Sequence, residues 1–342
     1  MRKYRAYIVG AIGGVLAAAI VPLTGILDFD ASNGQWGVTD WFFDTSAQQS
    51  ITLRSAGVAA PDLDDRGRLG RAAGHYEMVC AACHGSPAVP PEQFADNLVP
   101  EPPRLVERMG NWHPEARVFW TVKHGIKRSA MPAWPTQMRD DEVWDMVAFL
   151  NVMAAMPAAE YSELAGLDRE GCARCHGENG EGGAGPRLDI QSPAYIAASL
   201  EAFRQGTRAS GTMIAAASRL SDEEIAELSG YYGKLVEVEA TGGGLGSQIA
   251  ARGIPERDIA ACNSCHGTGR AEFPRLMGQD RAYLVTQLEL FNKHGAERGG
   301  LRAEFMAKAI GKRPQEEKGP LTAEEIEALA EHFGVPGSTG SP

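Results

Sequence analysis

The sequence predicts an all-α chain: three tandem helical units of similar size behind one apolar N-terminal helix. Three observations carry this. The string Cys-x-x-Cys-His occurs at 80–84, 172–176 and 262–266, its histidines 92 and 90 residues apart. Self-similarity at a fixed period decides architecture before any local signal does. Each unit then closes on an amphipathic helical pattern, over 140–154, 221–236 and 322–333, where apolar residues recur every three to four positions. Ahead of all three lies a 21-residue run without a charge, 7–27.

That run comes first in the chain. A membrane-spanning helix needs about 20 apolar residues, and Arg2, Lys3 and Arg5 precede it with nothing basic close behind. The positive-inside rule then keeps the N-terminus in the cytoplasm and exports the rest. Ala17-Ala18-Ala19 offers a cleaved signal peptide as the alternative. The run continues to Leu27, which favours an uncleaved anchor over 1–27 with membrane lipid as its partner. Residues 28–66 read as a tether. Trp36, Trp41, Phe42 and Phe43 suit either the headgroup level of a bilayer or packing against the first unit.

The three units are expected at 67–157, 158–240 and 245–336, followed by a flexible tail over 337–342. Met156-Pro157 and the glycine run at 241–244 mark the boundaries. Other features recur in phase. A glycine follows each histidine: Gly85, Gly177 and Gly267. Pro-Arg-Leu recurs at 103–105, 186–188 and 274–276, and Ala-Tyr-x helices open at 194 and 282. Ser221 with Glu224 and Thr322 with Glu325 form capping-box patterns at the starts of the last two closing helices.

The repeated string fixes the chemistry. Cys-x-x-Cys-His attaches c-type haem: two thiols add to the vinyl groups, and the following histidine becomes an axial iron ligand. All six cysteines, Cys80, Cys83, Cys172, Cys175, Cys262 and Cys265, are consumed by the three copies. A structural zinc site would need four ligands close together, and each pair here stands alone. A thioredoxin-like redox pair would need one copy in a βαβ setting. The chain therefore resembles a tri-haem c-type cytochrome, with three covalent haems c as its cofactors.

Each unit resembles the small all-α class I cytochrome c fold: motif helix, proline loop, middle helix, Met-bearing loop, terminal helix. Repeats two and three resemble the tandem cytochrome c4 type, through 276–279 and the Ala-Tyr helix. The resemblance implies iron ligation by His84, His176 and His266, with methionine on the opposite face. Met131, in Ala130-Met131-Pro132, Met213 and Met306 stand where that ligand is required. Met138 is the alternative in repeat one, and Met277 lies too near His266. The resemblance also implies that the carbonyls of Pro103, Pro186 and Pro274 accept the axial imidazole N–H. Arg104, Arg187 and Arg275 beside them are either partners of haem propionates or ordinary surface arginines. His75, His113, His124, His294 and His332 are expected to hold no iron.

A formal charge of -11 gives no basic surface for nucleic acid. No nucleophile–base group or phosphate loop stands out. The expected function is therefore relay of single electrons on the periplasmic face of a bacterial inner membrane, with catalysis left to a partner. The three-haem count resembles the cytochrome c subunit of membrane-bound dehydrogenases, from which the N-terminal anchor and the lack of an apolar C-terminal attachment depart, and a terminal-oxidase subunit is the alternative setting. A peroxidase-like haem enzyme, with one five-coordinate iron in repeat three, is the alternative class.

Overall fold

Helices make up nearly all the regular structure of the computed structural model, which describes residues 2–26, 30, 32, 36–64, 67–108, 114–239, 243–267, 269–313, 316–317 and 320–335. Ahead of the first motif lie α1 (Arg2–Ile20), α2 (Gly37–Ser55) and α3 (Gly67–His75). Repeat one continues with α4 (Ala81–His84), α5 (Leu105–Arg108), α6 (Glu115–His124) and α7 (Asp140–Met153). Repeat two holds α8 (Ala158–Leu164), α9 (Ala173–His176), α10 (Pro193–Arg204), α11 (Gly211–Ala217) and α12 (Asp222–Tyr232). Repeat three holds α13 (Gly244–Arg252), α14 (Asn263–His266), α15 (Arg281–His294), α16 (Ala303–Ala309) and α17 (Ala323–Phe333). Among the described residues the strands are two-residue pairs: Gln279–Asp280 parallel to Gly334–Val335, and Lys312–Arg313 antiparallel to Glu316–Glu317. His113, Thr241, Gly242 and the tail from 337 lie outside the described residues.

The closing helices form for the reasons their sequences give. Both capping boxes are made: Ser221 and Thr322 accept from the backbone N–H groups of Glu224 and Glu325, whose carboxylates reach back to the cap N–H. Each supplies partners to two backbone donors that a helix start leaves unpaired. α12 stops at Tyr232, short of the predicted 236, where Gly233 leaves the helical conformation.

In repeats one and three the first helix crosses the last. α3 packs on α7 and α13 on α17. On α17 the buried Ile326, Leu329, Ala330 and Phe333 follow the i, i+3, i+4, i+7 stripe of a core-facing helix. Gly246 of α13 sits so close to α17 that a Cβ there would lie 2.0 Å from the Ala328 carbonyl oxygen. The first core gathers Ala73, Tyr76, Phe119, Val147, Phe149 and Met153. α8 joins that core rather than one of its own: Tyr161 and Ala165 belong to it, and α8 packs against α3.

The N-terminal expectation needs correcting. Among the described residues no helix is long and apolar enough to cross a membrane. The continuous helix predicted over 7–27 ends at Ile20, where Val21–Leu23 tightens into a 3-10 turn with Pro22 inside it. Proline lacks the N–H that would continue an α-helix and clashes with the preceding turn. The apolar part of α1, from Tyr7 to Ile20, is thus about 21 Å long at about 1.5 Å per residue, against a hydrocarbon core of about 30 Å.

Candidate haem-binding sites

Each Cys-x-x-Cys-His string forms a single helical turn, α4, α9 or α14, with the histidine last. Gly85 (φ 70°) and Gly177 (φ 81°) then turn the chain through the left-handed region, which glycine enters without steric cost. At Gly85 a Cβ would lie 2.8 Å from Pro91 Cδ. Gly85's carbonyl is held by the buried Tyr76 hydroxyl at 2.6 Å.

Past that turn the proline segments come back over the histidines. His84 Nδ1 lies 2.8 Å from the Pro103 carbonyl, His176 Nδ1 2.7 Å from Pro186, and His266 Nδ1 2.8 Å from Pro274. A carbonyl oxygen can only accept, so Nδ1 carries the proton and Nε2 keeps its lone pair. A bond of this kind fixes both tautomer and ring plane of a metal-ligating histidine. Burial lowers the pKa of all three imidazoles, and the proline bond opposes it. The neutral ring is the form that binds metal.

The cysteines precede the histidines on the same turns and are half-buried thiols. Burial first, then Cys83, pushes the Cys80 thiol up to about 12. Burial pushes Cys262 up to about 11. Among the described residues no three His, Cys, Asp or Glu converge as a metal site. A zinc ion bound by protein groups alone therefore has no seat among them. Paired thiols beside one oriented imidazole fit a porphyrin that brings its own four equatorial nitrogens.

The methionines sit differently from one another. Met131 is in a loop; its N–H donates to Ser129 Oγ at 3.1 Å and its carbonyl accepts from Ile126 at 3.2 Å. Met213, expected on a loop, lies instead in α11, and Met306, whose neighbours 304–308 read as helical in the sequence, lies in α16; both helices have 7 residues. All three side chains are half-buried, and Met306 packs against the core of repeat three.

The proline-adjacent arginines are already engaged. Arg104 pairs with Asp96 at 3.5 Å, Arg187 with the buried Asp189 at 2.7 Å, and Arg275 donates to the Leu235 carbonyl at 3.4 Å. Of the spare histidines, His75 is buried against Trp134, ring centroids 4.6 Å apart.

Two features between repeats went unread in the sequence. Gln279 Oε1 accepts from the Arg187 N–H at 2.8 Å, and its Nε2 donates to the Arg187 carbonyl at 3.0 Å. Gln191 does the same to Arg275, at 2.9 Å for both bonds. Each glutamine thus grips the residue after the other repeat's proline carbonyl, as a reciprocal clasp. The signal was present: both glutamines stand five residues after their proline. Between repeats one and two, Glu142 accepts from Ser210 Oγ and Gly211 N–H, each at 2.6 Å, and from Trp134 Nε1 at 3.2 Å. It joins the loop carrying Met131 to the helix carrying Met213.

The site and fold together define a mostly helical protein of the c-type haem-binding class. Residues 67–150 and 159–231 match the family described as cytochrome C oxidase, cbb3-type, subunit III. The "Thiosulfate dehydrogenase electron acceptor" of Stutzerimonas stutzeri (strain A1501) is 32% identical over 177 residues, spanning 47% of this chain and 77% of that protein. Cytochrome c4 of Thiocapsa roseopersicina is 35% identical over 174 residues, 45% of this chain and 85% of its own length. The solved cytochrome c4 of Acidithiobacillus ferrooxidans aligns at 28% identity over 47% of this chain and 96% of its own, with a TM-score of 0.39. The chain belongs to the cytochrome c family, and its relatives imply electron transfer by haem c.

Proposed function

We propose that this chain is a tri-haem electron relay, one covalent haem c in each of three units spanning 67–157, 158–240 and 245–336. The observation that carries the reading is the threefold contact between histidine Nδ1 and proline carbonyl, at 2.7–2.8 Å each time. One such contact beside a cysteine pair is a coincidence of packing. Three, one at each motif although the prolines follow at 19, 10 and 8 residues, are a repeated ligand geometry.

When bound, haem c supplies a one-electron ferrous–ferric couple. The protein's share is positional. Cys80 and Cys83, Cys172 and Cys175, and Cys262 and Cys265 tether the ring. His84, His176 and His266 offer Nε2 to the iron, their planes set by Pro103, Pro186 and Pro274. Met131, Met213 and Met306 are the proposed ligands on the other face. A His/Met pair raises the reduction potential. Met306 shares its setting, a 7-residue helix, with Met213, which favours sulfur ligation in repeat three over an open, peroxidase-like site.

The relay's partner is proposed to be an oxidising enzyme outside the cytoplasm. Support comes from relatives that are themselves named electron acceptors of a thiosulfate dehydrogenase; membrane-bound dehydrogenases and terminal oxidases are the other settings. Attachment to the bacterial inner membrane through the apolar N-terminal stretch rests on the sequence alone. The exposed Tyr7, Ile8, Val9, Ile12, Val15 and Leu16 are the side chains it would use.

The test is optical redox titration of the purified chain, with haem staining after denaturing electrophoresis. Covalent stain and three reversible one-electron steps are expected. A chain that takes no covalent stain, or that turns over peroxide at one open iron, contradicts the relay.

A further inference from the structure

We propose that Trp134 is the electronic bridge between repeats one and two: its indole joins the loop carrying Met131 to the segment carrying Met213, and it couples the haems of these two repeats. The inference rests on the haem reading above and goes beyond it by assigning a residue that is neither an attachment nor an axial group.

The ring is held in place from its own repeat. Trp134 stands three residues after Met131 and is buried, at 7% exposure. Its backbone N–H donates to the Lys123 carbonyl at 3.0 Å, and the Met131 carbonyl accepts from the Ile126 N–H at 3.2 Å. Gly125 (φ 62°) lets the loop fold back on the end of α6: a Cβ there would lie 2.5 Å from the Pro132 carbonyl carbon. In repeats two and three the residue three places after the methionine is alanine, Ala216 and Ala309. A large ring at this position is therefore peculiar to repeat one.

The indole then reaches into repeat two. Trp134 Nε1 donates to Glu142 Oε2 at 3.2 Å, and the same oxygen accepts from the Gly211 N–H at 2.6 Å. The ring lies so close on Gly211 that a Cβ there would stand 2.0 Å from Nε1. Gly211 is two residues before Met213, whose N–H donates to Ser210 Oγ at 3.2 Å. His75 also packs on the indole, with ring centroids 4.6 Å apart and planes tilted by 48°. The residue before it, Gly74, lies against the second attachment string: a Cβ there would be 3.0 Å from Cys175 Sγ. Through its immediate neighbours, one ring thus links the methionine loop of repeat one to the methionine segment and to a haem-attaching cysteine of repeat two.

Electron tunnelling falls off steeply across gaps and less steeply through packed atoms. A π system couples best, because its orbitals lie closer in energy to the travelling electron than those of an aliphatic side chain. The step moves one electron: one iron is oxidised as the other is reduced, no bond forms or breaks, and no proton moves. The indole stays neutral and bonded to Glu142, so no oxidant beyond the relay's own couple is needed. A leucine in its place would leave a void against Gly211, and a void has no atoms to make the contact.

The test is pulse radiolysis of the full haem-loaded chain, fully oxidised, with less than one electron injected per chain. Redistribution among the haems then shows as absorbance phases whose rates do not depend on protein concentration. In Trp134→Leu one interhaem phase should slow severalfold while the other keeps its rate, and the midpoint potentials from optical titration should stay at the parent values. Trp134→Phe keeps a ring and should slow the same phase less; it also stands in if the leucine variant fails to accumulate with haem. Phases unchanged in both variants overturn the bridge and leave the relay standing. A slowing that shifted potentials account for, or that both phases share equally, makes Trp134 a packing residue and also overturns the bridge. A parent chain without covalent haem, or without any concentration-independent phase, overturns the relay, and the bridge with it.

Discussion

The Glu142 carboxylate accepts from the Gly211 backbone N–H at 2.6 Å, tying the helix that closes repeat one to the first turn of the helix that carries Met213. Glu142 also pairs with the buried Arg139 at 3.0 Å, and Arg139 Nη1 donates to the Ala209 carbonyl at 3.2 Å. Removing the carboxylate strands donors from both repeats at once. Glu142→Ala should destabilise the chain by about 3 kcal/mol, the cost of leaving hydrogen-bonded charge partners buried and unmatched. Denaturant unfolding followed by tryptophan fluorescence checks this. A loss below about 0.5 kcal/mol, the range of ordinary surface substitutions, would mean the junction carries little of the stability.

The glutamine clasp gives a second prediction. Gln191→Ala and Gln279→Ala each remove two bonds to the other repeat's backbone, and each should cost about 1–2 kcal/mol at about 1 kcal/mol per bond. The two glutamines hold one interface, so the double variant should depart from additivity by at least about 0.5 kcal/mol. Strict additivity in a double-mutant cycle would show that the two halves of the clasp act independently.

Repeat three supplies the third. Met306→Ala should remove one haem's share of the far-red sulfur-to-ferric charge-transfer band and lower one midpoint potential, because a thioether ligand favours ferrous iron. An unchanged band and potential would rule Met306 out as a ligand.

Acid stability supplies the fourth. Burial holds the His75 imidazole down to about 4, below its unfolded value near 6.5. Its contribution is therefore present above pH 6.5 and is lost as pH falls towards 4. The buried Asp145 has the opposite sign. Burial lifts it to about 6, against the pull of Arg71 and Arg68, so it favours folding as pH falls from about 6 to 4. Each effect is on the order of 3 kcal/mol at about 1.4 kcal/mol per pH unit. They oppose each other in wild type. The stability difference between wild type and His75→Gln should therefore change by about 3 kcal/mol in favour of the variant as pH falls from 6.5 to 4. Urea midpoints of both chains across that range check it; a difference that does not vary with pH would contradict the assignment to His75.

Much of this was legible in the sequence, and the failures have physical causes. The motif turns and closing helices could be read because their signals are local: a fixed cysteine spacing, a capping box, an apolar stripe. Pro22 is equally local, and weighing it against the absence of charge would have ended the first helix at Ile20. The clasp was marked only by phase, at equal distances from proline. Its partners lie 84–92 residues away in the chain, a distance that no periodicity argument spans. That α8 packs onto α3 has no sequence signal, since its Tyr161 and Ala165 would suit any apolar neighbour.

Everything above depends on haem being covalently carried at all three motifs. The most direct measurement is the intact mass of the mature chain under denaturing conditions, compared with the same chain in which Cys80, Cys172 and Cys262 are replaced singly by alanine together with Cys83, Cys175 and Cys265 respectively. The account predicts the polypeptide plus three haems, with one haem lost from each double variant. A mature chain at the bare polypeptide mass would contradict it.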